Sequence, residues 1–317
     1  MRAAIIQSPQ RISIDEVALP QPAANQVRVR IEGCGVCASN LPLWEGREWF
    51  TYPMKAGAPG HEAWGRVDAV GDGVNHITIG DRVAMLSYNA YAEYDVADAG
   101  AVVKLPDALD GQAFPGEPLG CAVNVFARSH IESGQTVAIV GVGFLGAIVT
   151  RLATNVGARV IAISRRPFAL DVAQTMGAAE LIAMDDHYEI IRQVMNLTDG
   201  KGCERVVEAV GLQWPLDLAA ELTAERGRLV IAGYHQDGLR QVNMQLWNWR
   251  GLDVVNAHER DPQVYVAGIR AAVARVTSGQ LDPSPLYTHR FKLDQLADAL
   301  NTMRERPDGF MKALITV

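Results

Sequence analysis

Two rhythms of apolar and polar residues divide the chain. Over roughly the first 120 residues the runs are short and alternate. Val27-Arg28-Val29-Arg30-Ile31-Glu32 is apolar at every second position, which marks a strand with one face buried. Glu62–Val70, Arg82–Met85 and 92–96 read similarly, and Gly71-Asp72-Gly73 and Gly80-Asp81 supply turns between them. From about Ala122 the rhythm changes. Continuous apolar runs at Thr136–Val140, 160–163, 205–209 and 228–231 alternate with helical stretches. Strands buried on both faces and separated by helices predict a parallel, doubly wound sheet. After Val254 the pattern predicts a helix over 264–278, a strand near 286–290, a helix over 293–304 and a final strand over 312–317. That tail is too short to fold alone and is expected to complete the N-terminal part. The expected organisation is therefore an α/β protein of two domains, residues 1–121 with 256–317, and residues 122–255. No internal repeat or low-complexity linker interrupts it.

Composition narrows the class. The chain has 317 residues, 49% of them hydrophobic and 21% charged, which suits two substantial cores. Its net charge of −7 argues against a nucleic-acid surface, which needs clustered positive charge. No apolar span reaches the roughly 18 residues of a membrane helix, and the apolar part of the N-terminus is too short for a secretion signal. A cytoplasmic protein is expected. Cysteines stand only at 34, 37, 121 and 203, a number that favours reduced, structural or metal-binding thiols over disulfides.

The strongest local signal is Gly141-Val142-Gly143-Phe144-Leu145-Gly146. A bare G-x-G-x-x-G is common by chance. This one closes a strand and opens a helix, where backbone N–H groups and the helix dipole can face a pyrophosphate. Gly141, Gly143, Phe144, Leu145 and Gly146 are candidate cofactor contacts, with Val210, just past the run 205–209, as a further one. The next strand ends in Ser164-Arg165-Arg166. An NAD site places a carboxylate at that strand end for the ribose 2′-hydroxyl. Here a small hydroxyl leaves room and two guanidinium groups offer bidentate partners to a 2′-phosphate, which predicts NADP(H) over NAD(H). The bland alternative is a solvated basic pair.

A second set of polar residues precedes the nucleotide motif: Gly33-Cys34-Gly35-Val36-Cys37-Ala38-Ser39-Asn40, then Gly60-His61-Glu62, then Glu117-Pro118-Leu119-Gly120-Cys121. Thiolate, imidazole and carboxylate can hold Zn²⁺ by three protein ligands and leave a fourth position open, as a catalytic site requires. Singly, a Cys is usually a small buried hydrophobe and a His a satisfied core residue. Their co-occurrence is what raises the metal reading.

In this order the motifs resemble the zinc-dependent medium-chain dehydrogenase/reductase superfamily of alcohol and polyol dehydrogenases, over nearly the whole chain. The resemblance implies a GroES-like, mostly-β catalytic domain and a Rossmann cofactor domain. It implies Cys37 and His61 as zinc ligands, with either Glu62 or Glu117 as the third and Cys121 ranked below both, and Cys34 as a packing residue. Ser39 becomes the first hydroxyl of a proton relay, so the catalytic set is Cys37, Ser39, His61 and Glu62. The implied reaction is hydride transfer between NADP(H) and a small-molecule alcohol or carbonyl substrate, in a homodimer or homotetramer.

Three departures from the family pattern matter. Asn40 stands where many relatives carry an Asp that orients the ligand histidine, so an uncharged amide oxygen is expected to take that imidazole N–H. Pro42 stands where many alcohol dehydrogenases continue the relay with His. No cysteine lies between Asp81 and Leu105, where the resemblance places a structural-zinc lobe, so one zinc per subunit is expected. Trp44, Phe50 and Tyr52 are candidates to line a substrate pocket, against core packing as the alternative. The polar and aromatic stretches 247–250 and 255–261 suit either a hydroxylated substrate or a salt-bridged interface. Two other functions compete: a dehydrogenase of a bulky hydroxyethyl-bearing substrate resembling a bacteriochlorophyll precursor, and a non-catalytic NADP-binding sensor. Cys37, Ser39 and His61 argue against the sensor, because nucleotide binding needs none of them.

Overall fold

The β-branched run Thr136–Val140 lies at the centre of a six-stranded, wholly parallel sheet in a computed structural model that describes residues 1–317. The chain divides into two units, Met1–Gly120 with Asp261–Val317, and Cys121–Arg260. In the second unit the spatial order is Glu180–Ala183, Arg159–Ser164, Thr136–Val140, Cys203–Glu208, Thr223–Ile231, Asp253–Asn256. The first strand in sequence thus sits between the second and the fourth. The winding reverses there, and open α/β sheets bind ligands at the carboxyl ends of the strands flanking such a reversal. Helices Phe144–Asn155, Pro167–Thr175, His187–Leu197 and Gln213–Leu222 alternate with the strands. Val140, Ile161, Ile163, Val206, Leu218 and Leu229 form part of the core. The expected strand at 205–209 starts two residues earlier, at Cys203–Glu208, and that at 228–231 begins at Thr223. Glu180–Ala183 was not readable, because only Ile182 of its four residues is buried.

In the first unit a seven-stranded sheet is built around Gln26–Gly35. That strand pairs antiparallel with Glu62–Val70, Tyr94–Asp98 and Ala313–Thr316. The tail strand Ala313–Thr316 therefore lies beside residues nearly 300 positions upstream, with Ile315 opposite Cys34. The remaining strands are Arg82–Met85, Val102–Lys104 and His289–Lys292, and Arg2–Ser8 with Arg11–Glu16 forms a separate hairpin. Alternation overstated the exposure of the central strand. Arg28 is buried, and its guanidinium forks onto both carboxylate oxygens of Asp68 at 2.9 and 3.1 Å, while Arg30 faces solvent as expected. The strand expected at 92–96 lies at Tyr94–Asp98, and Ala92 makes only an isolated bridge to Ala3. The strand expected near 286–290 begins at His289, after a 3₁₀ turn at Ser284–Leu286. No helix of the protein is long and apolar enough to cross a membrane.

Candidate functional site

Two strands and the turns that follow or precede them build the polar cluster of the first unit. Gln26–Gly35 delivers Val36 and Cys37, and Glu62–Val70 begins at Glu62, directly after His61. The two strands are in register with Gly35 opposite Glu62. This brings one ligand atom each from Cys37, His61 and Glu62 to within 4.8 Å of one another. Glu117, in the first turn of the helix Gly116–Ser129, is not part of that trio. Its charge is nevertheless felt at both His61 and Lys312. Cys121 belongs to the other unit. Cys34 is wholly buried, and burial pushes its thiol well above the ordinary range, so it is an uncharged core residue.

Each member of the trio is held by a separate partner. The Nδ1–H of His61 donates to the Pro59 carbonyl at 2.8 Å, which leaves Nε2 for the sulfur side. The Ser39 hydroxyl donates to Cys37 Sγ at 3.1 Å. Glu62 is fully buried, and Oε1 accepts from Lys312 Nζ at 2.7 Å. Lys312 also donates to the Val36 carbonyl at 3.1 Å. Burial works against the ammonium, but Glu62 first, then the charges of Cys37 and Glu117, keep its pKa above the ordinary value. His61 behaves alike. Burial opposes its charged form, yet the bond and charge of Cys37, with Glu117 and Glu62, raise its pKa from 6.5 to about 10.

The expectation for Asn40 is corrected. Its amide donates to the Tyr91 hydroxyl at 2.8 Å, and the histidine is oriented by the Pro59 backbone instead. Of the aromatic candidates, Trp44 takes the core-packing alternative. Trp44 is 1% exposed in the core, with its indole N–H on Asn301, and the Tyr52 hydroxyl donates to the Leu43 carbonyl. In the second unit, Arg250 is spent on the carbonyls of Glu221 and Thr223 and on the Glu221 carboxylate, so it acts as a structural tie.

Zinc takes sulfur, nitrogen and oxygen donors at about 2.0–2.3 Å in a tetrahedron. The trio has the right chemistry, Pro59 holds His61 Nδ1 so that Nε2 faces the sulfur, and the Glu62 carboxylate is buried with Lys312 as its ion-pair partner. A contraction of about 1 Å would bring the three atoms to tetrahedral spacing. The residues fit a zinc ion with an open position.

The nucleotide motif occupies the reversal point of the second unit. Gly141 has φ +100°, and a Cβ there would overlap Val210 Cγ2, so only glycine permits this turn. Gly143 caps the helix Phe144–Asn155 in an extended conformation and, lacking a side chain, places none over the positive end of the helix dipole. Phe144 and Gly146 are buried in its first turn, beside Leu145. Ser164 is buried at the end of its strand, Arg165 is exposed, and Arg166 reaches the Val142 carbonyl at 3.5 Å. The residues that sequence reasoning missed are Lys312 and the Pro59 carbonyl, which no spacing rule connects to the trio.

Residues 145–272 match the family described as zinc-binding dehydrogenase, and residues 23–107 match the alcohol dehydrogenase GroES-like domain. Sorbitol dehydrogenase of Bacillus subtilis is 24% identical, with 99% of this chain and 97% of that protein covered. L-threonine 3-dehydrogenase of Pyrococcus abyssi is 27% identical, with 93% and 92% covered. Among solved structures, alcohol dehydrogenase TADH from Thermus sp. ATN1 superimposes with a TM-score of 0.84 at 24% identity, covering all of both chains. A Sinorhizobium meliloti 1021 zinc-binding dehydrogenase bound to NADP gives 0.85 at 24% identity, covering 100% and 99%. An Escherichia coli CFT073 alcohol dehydrogenase complexed with NADH gives the same score, identity and coverage.

Proposed function

Because this chain belongs to the zinc-dependent medium-chain dehydrogenase/reductase superfamily, we propose that it interconverts an alcohol or polyol and its carbonyl counterpart, with NADP(H) as hydride carrier and one zinc per chain. The observation that carries the reading is the convergence of Cys37, His61 and Glu62 donor atoms within 4.8 Å. Bound there, zinc supplies a Lewis acid to the substrate oxygen, and the nicotinamide supplies the hydride chemistry. Everything else is work for the chain's own groups.

Cys37, His61 and Glu62 hold the ion in this reading. Glu62 is the third ligand rather than Glu117, because its carboxylate belongs to the trio and that of Glu117 does not. Pro59 keeps His61 in the tautomer that offers Nε2. Ser39 holds its hydroxyl on the Cys37 sulfur, and Oγ is the first acceptor for the proton an alcohol gives up. On the nucleotide side, the N-terminus of the helix that begins at Phe144, with its positive dipole end, receives the pyrophosphate. The lack of a carboxylate at Ser164, with Arg165 beside it, supports NADP(H). Neighbours of the same fold carry either nucleotide, so these residues and not the neighbours support the preference. A hydroxylated substrate is supported by relatives named for sorbitol and threonine.

The test is a panel of alcohols, polyols and carbonyl compounds with NADP(H) and NAD(H), followed by nicotinamide absorbance before chelation, after chelation and after zinc is restored. Turnover that favours NADP(H), disappears on chelation and returns with zinc is expected. A zinc-loaded protein that turns over nothing on the panel with either nucleotide overturns the reading.

A further inference from the structure

A buried carboxylate at the end of the fourth strand of the parallel sheet has no part in the chemistry above. Glu208 is fully buried as the last residue of Cys203–Glu208. Leaving such a group unpaired would be costly, and both of its oxygens are engaged. Oε1 accepts the backbone N–H groups of Val210 at 2.7 Å and Gly211 at 2.8 Å. Oε2 lies 3.1 Å from His235 Nε2. The other ring nitrogen of His235 accepts from Arg240 Nε at 2.9 Å. Arg240 donates only, so Nδ1 is the bare nitrogen and Nε2 carries the hydrogen that Glu208 receives. Arg240 then donates to the Gly211 carbonyl at 2.9 Å and pairs with Asp237. The circuit closes on itself: Glu208, His235, Arg240, Gly211 and back to Glu208.

From these contacts we infer that Glu208, His235 and Arg240 form a clasp that sets the turn 209–211 against the first glycine of the nucleotide motif, and so fixes the cofactor's phosphate-binding surface. The link to that surface is steric. Val210 fills the space where Gly141 would carry a side chain. Any movement of 209–211 changes the room around Gly141. The clasp also anchors the loop after Thr223–Ile231, because the Glu208 carbonyl accepts the N–H groups of Ala232 and Gly233, both at 2.8 Å. Carboxylate, imidazole and guanidinium in a line resemble an acid–base relay, but both ring nitrogens are spent and Glu208 has no exposure. They are positioning residues. The inference rests on the nucleotide-binding reading only where it concerns affinity; the geometry of 209–211 stands without any ligand.

Two measurements separate those parts. Hydrogen exchange of the peptide covering 209–211 is followed in the nucleotide-free protein, and the dissociation constant for NADPH is measured by fluorescence. His235→Ala and Arg240→Ala should each speed exchange at 209–211 about tenfold and weaken NADPH about tenfold. Because the circuit acts as a unit, the double variant should lose little more than either single one. His235→Gln, whose amide can donate to Glu208, should recover most of the loss; Arg240→Lys, which cannot make both bonds, should not. Exchange at 209–211 within twofold of the unmodified protein in both alanine variants overturns the clasp. If the unmodified protein binds neither NADPH nor NADH, the nucleotide reading fails, and the exchange result still decides the clasp.

Discussion

Gly35 and Glu62 stand opposite each other on antiparallel strands, and a Cβ on Gly35 would overlap Oε2 of the Glu62 carboxylate. The glycine is therefore a requirement of the carboxylate's position. Gly35→Ala should push Glu62 out of the trio and lower zinc affinity about 10- to 100-fold while the fold persists. Competition with a zinc chelator, alongside circular dichroism, measures both. Unchanged zinc affinity would mean that Glu62 is not a ligand.

Lys312 is the buried counter-charge of that carboxylate. Removing one partner of a buried pair leaves the other uncompensated, at a cost of about 3–5 kcal/mol. Lys312→Met should destabilise the zinc-free protein by that order in urea unfolding. Lys312→Met with Glu62→Gln should recover a good part of it, and zinc should partly rescue the single variant. Equal stability of the single and double variants would contradict this pairing.

His61 titrates from a folded pKa of about 10 against an ordinary 6.5. A raised pKa stabilises the metal-free fold fully below about pH 6.5, and that contribution fades as pH climbs through about 10. Zinc needs the imidazole bare, so binding must displace its proton. At pH 8, calorimetry in buffers of different ionisation enthalpy should detect release of at least one proton per zinc, and apparent affinity should rise with pH towards 10. Binding without proton release at pH 8 would refute this.

Arg165 is exposed and makes no ion pair within the chain, so its removal should cost the fold nothing. Arg165→Ala should lower kcat/KM for NADPH about tenfold and leave that for NADH within twofold. Parallel assays with both nucleotides decide it; equal losses for the two would place Arg165 away from the 2′-phosphate.

What the sequence revealed was local. The strand, glycine turn and helix at 136–155 are contiguous, so their spacing alone identifies the turn that Gly141 occupies. Cys37 and the pair His61-Glu62 were legible as donor types, though their convergence depends on the register of two strands. Lys312 was hidden because its partner is 250 residues away, and the Pro59 carbonyl because backbone groups leave no trace in residue type. Asn40 was read from the family pattern and Trp44 was left between pocket and core; only the fold shows that Tyr91 engages the first and that Asn301 holds the second in the core.

The proposed chemistry stands or falls with the atoms that grip the metal. X-ray absorption at the zinc edge, on protein loaded with one zinc per chain, reads that directly. One sulfur at about 2.3 Å with the remaining shell nitrogen and oxygen near 2.0 Å is expected, and Cys37→Ala should abolish the sulfur contribution. A shell without sulfur in the unmodified protein, or one unchanged by Cys37→Ala, would contradict the account.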